Sequence, residues 1–489
     1  MIRNAGPTAT IILHGPGAFR RLFETALIFF CSILFLRCFA VEPFGVPTGS
    51  MASTLIGNHK TADCPRCGFP VRFGEPGPNT NPDVHLQAAK TIYCPNCGAT
   101  GLNIDSSPMI PGDRLLVDKN VYHLRSPRRW EIAVVRCQDD DGAKPYVKRV
   151  VGLPGESLFI TQGDVHINGE LARKSLDQAL ECKLLVFDPA FAPQLGWKDR
   201  WVIERSWSPD TPGSQIDASD SMADVERIFR EGELHLDATM SPTFRQSLIY
   251  RNWNLDRKRE EVLYDSLAYN VTAKPNGPRH GVTDFLVEME VEIVRGNGSF
   301  WCQLTDGSDL VRAECNIGSK GVSLIEDRST TVRTNSELAL QTGKRYRIIL
   351  AFVDRRVSLS IDGREPFACF DLPQKKARTE VSRPFRIGVQ GASVVVRDLK
   401  LYRDIFYVAK GVHAVNTPYT LGIDEFFLLG DNSANSHDSR FWKFPGVPES
   451  CFLGKPFLLH QPTKLSHSDW WGNPREANTL DWGRIRWIR

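Results

Sequence analysis

Four cysteines stand as two close pairs, Cys64 with Cys67 and Cys94 with Cys97, each inside a CPxCG knuckle. Tight Pro/Gly knuckles bring two thiolates onto one metal ion, and two knuckles complete a tetrahedral four-sulfur site. Four sulfur ligands leave no open position, so the expected role is structural and the expected ion zinc. Disulfides are the alternative, which an oxidising compartment would favour. The other candidates for chemistry are sparser. Ser50 lies in VPTGSM (46–51), Lys148 in YVKRVVGLPGESL (146–158), and Asp431, Asn432, Ser436 and Asp438 in FFLLGDNSANSHDSRFW (426–442). Singly, each has an ordinary explanation. Ser50 reads as a turn residue, Lys148 beside Arg149 as the solvated face of an edge strand, and the polar run as turn-formers.

The elements that must hold these residues are mostly strands. PGDRLLVDK (111–119) alternates, with Leu115 and Val117 on one side; the Lys148 block is a strand ending in a Pro-Gly turn; FFLLG is a buried-type strand running into a polar loop. Upstream, RRLFETALIFFCSILFLRCFAVEPF carries an apolar run from Leu22 to Val41, interrupted only by Glu24 and Arg37. Both charges lie near its ends, where a polar interface tolerates them. Counted so, the run reaches about 20 residues, enough to cross a bilayer. Arg3, Arg20 and Arg21 precede it and place the N-terminus in the cytoplasm. The residues alone leave a cleaved signal peptide open, with Cys38-Phe39-Ala40 as its cleavage site. No later run is long enough to span.

Taken together and in this order, the blocks resemble bacterial type I signal peptidases. EPFGVPTGSM is similar to that family's nucleophile block, KRVVGLPGE to the block holding its lysine base, and GDNSANSHDSR to its C-terminal signature. The resemblance covers about residues 20–60, 108–172 and 410–489, and it favours a retained anchor. It implies Ser50 as nucleophile and Lys148 as general base. It further implies Thr48 and the Ser50 backbone N–H as the oxyanion hole and Ser436 as the group orienting the amine. Asp431 is implied, with Gly430, in the turn that aims the loop, and Asp438 and Arg440 as a supporting ion pair. No catalytic cofactor is implied. A serine hydroxyl needs a base to take its proton, and a lysine amine serves only when neutral, which burial among apolar groups favours. Val147, Val150, Val151 and Leu153 are the expected apolar surroundings. Three departures from the family's pattern stand out: Ser53, where proline is frequent; Ser433 and Ala434, where arginine and aspartate are; and Trp130-Glu131, where Gly-Asp is usual.

The 489 residues allow two to four domains. Hydrophobic content of 42% and charged content of 24% are ordinary for globular protein, and a formal net charge of +3 with no long basic run gives nucleic-acid binding no support. From about 172 to 408, alternating runs such as FLVEMEVEI, and RYRIILAFVDRRVSLSIDG with a turn at Asp354-Arg355, argue an antiparallel β-sandwich. Its pattern looks like a laminin G or concanavalin-type domain, with a glycan or protein ligand or a spacer role. The expected architecture is mainly β: an N-terminal tail and transmembrane anchor (1–42), a catalytic domain in two parts (43–171 and 409–489), a zinc-ribbon insert (60–103) and the sandwich (172–408). The expected partners are exported preproteins and the lipid bilayer. The expected place is the bacterial cytoplasmic membrane, with the catalytic domain on its outer face. One rival is a catalytically degenerate scaffold presenting the sandwich. A second is a self-cleaving regulator, which would need a DNA-binding module, and no helix-turn-helix is found.

Overall fold

The computed structural model describes residues 16–75, 92–104, 106–136, 144–193, 200–206, 214–217, 228–230, 232–266, 269–270, 278–326, 330–374, 379–470 and 473–488. Arg3 with the rest of the N-terminal tail, and the middle of the expected ribbon insert, lie outside them. The fold is mainly β, as the alternating runs predict.

Helix α1 (Pro16–Phe39) is 24 residues long. Large apolar side chains lie exposed along it, among them Phe19, Leu22, Ile28, Phe29, Phe30 and Phe35, and Arg20 pairs with Glu24 one turn on. Among the described residues, no helix is long and apolar enough to cross a membrane, so the expected transmembrane span is not confirmed.

Directly after α1 the chain enters an eight-stranded sheet. It is built from β1 (Val41–Gly45), β4 (Arg114–Asp118), β5 (Ile132–Arg136) and β6 (Pro145–Gly152), together with the strands Phe452–Leu459, Glu425–Leu429, Val447–Pro448 and Arg486–Trp487. The order β1, β4, Phe452–Leu459, β5, β6, Glu425–Leu429, Val447–Pro448 interleaves early and late segments, and the pairs are antiparallel. The Lys148 strand β6 is therefore central, not an edge. Its pairing sets Lys148 opposite Ala133, and Arg149 opposite both Ile132 and Leu429.

Strand alternation then sorts the side chains. Val150 shares the Lys148 face and packs with Ala133, Val135, Phe426, Leu428 and Trp442. Val147 and Val151 lie on the opposite face and belong to two other apolar clusters. Of the three strand valines expected around the amine, one is on its face. The period of two explains why.

β2 (His59–Asp63) and β3 (Pro70–Gly74) form a separate hairpin that carries the Cys64/Cys67 knuckle at its tip. Fourteen of the described strands between Leu184 and Arg403 form a second, antiparallel system. Its two longest strands, Phe285–Thr305 and Phe385–Arg403, pair along most of their length through three register shifts. Such bulges bend a pair without breaking it. Val287, Met289, Val291 and Ile293 are all buried, as their alternation with glutamates predicts. Asp354 and Arg355, both at positive φ (51° and 60°), turn the chain between Arg345–Val353 and Arg356–Ile361, the conformation a two-residue hairpin turn requires.

The cysteine knuckles share a core with this second system. Phe69 meets Phe191 edge-on at 5.2 Å, Asn96 Nδ2 donates to the Phe191 carbonyl (3.1 Å), and Arg66 pairs with Asp256 (2.6 Å).

Candidate active site

The turn that carries Ser50 is a short 3-10 segment, Gly49–Met51, entered from β1. Backbone pairing holds it from below: Asn58 N–H donates to the Pro47 carbonyl (3.0 Å), and Gly57 lies so close to Thr48 that a Cβ at 57 would stand 2.3 Å from the Thr48 carbonyl carbon. Asp113 staples both ends. Its carboxylate accepts from Ile56 N–H (2.8 Å), its N–H donates to the Ile56 carbonyl (2.8 Å), and its carbonyl accepts from Val46 N–H (2.9 Å). Sequence reasoning took PGDRLLVDK only as a strand and missed this aspartate. The signal was there in a charged residue that opens an apolar strand after Pro-Gly.

On the other side, the loop after Glu425–Leu429 closes over the turn. Asn432 N–H donates to the Ser50 carbonyl (3.0 Å) and its side-chain amide to the Gly49 carbonyl (2.9 Å). Ser50 is half-buried, and Thr48 is exposed with its hydroxyl not capping the turn. Gly430 passes between the Ser436 hydroxyl and the Ser50 carbonyl, where a side chain would collide with both.

Lys148 is only 2% exposed, and its Nζ donates to Ser436 Oγ at 3.0 Å. The Gly49–Met51 turn packs against both β6 and the 433–435 segment. Three distant parts of the chain thus meet here: Lys148 bonds to Ser436, and the Ser50 turn packs against the segments that carry both.

Beneath that point run two buried ion pairs. Arg440 holds Asp438 in a two-bonded grip, Nε to Oδ1 at 2.9 Å and a terminal nitrogen to Oδ2 at 2.8 Å, with both side chains fully buried. Burial alone would raise the Asp438 carboxyl; the Arg440 guanidinium, with Lys148 and the Gly430 N–H, outweighs it and holds the group below the usual carboxylate range. Ser433 joins this pair as well, accepting from Arg440 (2.8 Å) and from Val408 N–H (2.8 Å).

The second pair corrects the solvated-face reading of Lys148 and Arg149, since both are buried. Arg149 grips Asp431 through Nε (2.8 Å) and a terminal nitrogen (2.6 Å), and Thr54 Oγ1 donates to the same carboxylate (2.6 Å). Burial opposes the Arg149 charge, but Asp431 pulls its titration well above the ordinary value. Arg149 also donates to the Trp130 carbonyl (2.6 Å). Trp130 itself sits at φ 71°, a conformation that favours glycine.

Cys64, Cys67, Cys94 and Cys97 converge away from this point, all buried, with their sulfurs within 4.8 Å of one another. The Cys64–Cys97 and Cys67–Cys94 sulfurs are 3.5 and 3.6 Å apart, too far for disulfides and near the roughly 3.8 Å edge of a tetrahedron with 2.3 Å zinc–sulfur bonds. The knuckles repeat each other: Gly68 and Gly98, at φ 72° and 80°, donate to the Cys64 and Cys94 carbonyls at 2.8 Å. The residues fit a metal ion.

Comparisons with known proteins bear on part of this chain. Residues 99–185 match the family described as signal peptidase, peptidase S26. The chain is 41% identical over 76 residues to a probable signal peptidase I-2 of Synechocystis, covering 14% of this chain and 35% of that relative. It is 40% identical over 77 residues to a signal peptidase I of Leptolyngbya laminosa (14% and 38%), and 25% identical over 146 residues to that of Rickettsia typhi (30% and 42%). The chain therefore spans well under half the length of the relatives it matches. Among solved structures it is similar to an alginate lyase A1-II' (TM-score 0.26, 12% identity, 42% of this chain and 95% of the other) and to a galectin of Caenorhabditis elegans (TM-score 0.19, 14% identity, 24% and 83%). Similarity that slight carries no functional argument. The segment that bears Lys148 thus lies within the stretch that is similar in sequence to signal peptidases.

Proposed function

We propose that the protein is a membrane-associated serine endopeptidase that removes signal peptides from exported preproteins. In this reading Ser50 attacks the scissile carbonyl and Lys148 takes its proton. One observation carries it: a lysine buried in the centre of a sheet, bonded to Ser436 and packed beside the turn that presents Ser50. Burial among apolar groups is what favours the neutral amine that a base requires, and Lys148 shares its face with the Ala133, Val135 and Val150 cluster. Arg440 pairs with Asp438 and offsets its charge beneath the site. Thr48 and the Ser50 N–H would receive the oxyanion. Asp431, held by Arg149, keeps the loop aimed.

The partial sequence match and the exposed apolar surface of α1 support a substrate still tethered to a bilayer. A segment with apolar side chains facing outward has no favourable place in water, and a nucleophile eleven residues beyond its last residue, Phe39, would be held close to the membrane surface. In the same reading the eight-stranded sheet is the catalytic domain in two parts, the four-cysteine knuckles hold a structural zinc ion, and the 184–403 system is an inserted sandwich.

The test is a preprotein with an Ala-x-Ala site incubated with the detergent-solubilised protein. The reading expects one cut after the second alanine, located by mass spectrometry. An uncut preprotein, with the protein folded and zinc-replete, would favour the degenerate scaffold instead.

A further inference from the structure

The nucleophile turn is not closed by the peptidase sheet alone. Tyr269, which the chain reaches only within the long insertion, is 3% exposed and forms a small apolar cluster with Ala52 and Ile56 of the turn. Its ring lies flush on two glycines. A Cβ at Gly49 would stand 2.5 Å from the ring's Cε1 and from its hydroxyl, and one at Gly74 would overlap the hydroxyl. Glycine at 49 and 74 is what lets the ring in.

The tyrosine is also anchored from both directions. Asn270 N–H donates to the Arg72 carbonyl (3.0 Å), and its side-chain oxygen accepts from Gly74 N–H (2.7 Å), so residues 269–270 lie along β3. Just upstream, the buried Arg403 of the inserted system donates to the carbonyls of Asp265 (2.8 Å) and Ser266 (3.0 Å). A rigid aromatic fixed at both ends presses on one side of Gly49, and Asn432 grips its carbonyl from the other. Among the described residues the buried Tyr269 hydroxyl has no hydrogen-bond partner, so the side chain acts on the turn by packing and not through a hydrogen bond.

We propose that Tyr269 is a positioning residue for the Ser50 turn, through which the 172–408 insertion completes the peptidase site. This rests on the peptidase reading above. It assigns the insertion a role in catalysis that is independent of any ligand the insertion binds.

The experiment compares full-length wild type, Tyr269→Ala and Tyr269→Phe in two assays. One is preprotein cleavage, with kcat and KM separated. The other is amide hydrogen exchange of residues 49–56, which needs no activity. A misplaced nucleophile lowers kcat more than KM. Tyr269→Ala is expected to lower kcat by about tenfold or more with KM nearly unchanged, and to speed exchange in 49–56. Tyr269→Phe is expected to match wild type in both. Wild-type kinetics and exchange in Tyr269→Ala would overturn the proposal, as would a Phe variant as impaired as the Ala variant. If wild type cuts no preprotein, the peptidase reading fails, and the exchange arm still decides whether the ring holds the turn. Should Tyr269→Ala not fold, Tyr269→Leu, which keeps apolar bulk without the planar ring, is judged by the same criteria.

Discussion

Lys148 and Ser436 are 288 positions apart in sequence and are joined by a 3.0 Å hydrogen bond, with the whole inserted β system in the chain between them. An amine with three protons or two, and free rotation at its end, needs such an acceptor to point it. Ser436→Ala should leave the fold intact and lower preprotein cleavage by roughly tenfold to a hundredfold. Ser436→Thr, which keeps the hydroxyl, should recover most of the loss. Steady-state kinetics on the purified variants checks both.

The Arg149–Asp431 pair lies wholly buried beneath the site. Removing one partner leaves the other charged and unpaired, at a cost of about 3–5 kcal/mol. Asp431→Ala should therefore lower the denaturation midpoint sharply, and Arg149→Lys should lower it less, since charge survives but the two-bonded grip does not. Asp438→Asn weakens the neighbouring pair, and cleavage should fall in part. Denaturant titration separates the stability losses from the catalytic one.

His59, at the start of the hairpin next to the Ser50 turn, is buried against the Gly57 carbonyl (2.8 Å). Burial pulls its titration down from 6.5 to about 4, partly offset by that hydrogen bond. A depressed value means that the unfolded chain binds the proton first. Stability is then complete above about pH 6.5 and is lost progressively as pH falls toward 4, with stability rising with pH in that window. His59→Gln should flatten the acid limb of the stability profile between these values. Thermal unfolding across pH 4–8 is the measurement.

The four buried cysteine sulfurs should hold about one zinc ion per chain. Cys94→Ser should abolish metal binding, measured by elemental analysis, and speed amide exchange across residues 64–74 and 92–104. Because the knuckles share a core with the inserted system, chelation should also loosen the contacts around Phe191. A chain that keeps its metal content after Cys94→Ser would contradict the four-sulfur site.

Much of the site was legible, and what was missed has a common cause. Ser50, Lys148 and Ser436 were singled out by the resemblance of their blocks, in order, to a known family, and the structure bonds Lys148 to Ser436 and packs the Ser50 turn against both their segments. The knuckles were readable because ligand spacing is local. Arg149 was misread because period-two alternation in a strand says that neighbours face opposite ways, not what each face meets. Only the pairing of β6 with both β5 and Glu425–Leu429 buries it. Asp113 and Tyr269 escaped for the same reason: each acts on the Ser50 turn from a segment remote in sequence, and neither belongs to a short pattern. Trp130 was noted as a departure, but that it sits at a positive φ, a conformation that favours glycine, became visible only with the backbone.

The central claim is that Ser50 and Lys148 act as one catalytic unit. It is tested most directly by single-turnover cleavage of an Ala-x-Ala preprotein by wild type, Ser50→Ala, Lys148→Ala and the double variant, each verified as folded by circular dichroism. Residues that work as a unit are not additive. The account predicts that each single variant loses cleavage by at least about a thousandfold, and that the double variant is no worse than either. A Lys148→Ala protein that still cuts at the same bond within about tenfold of wild type would contradict it.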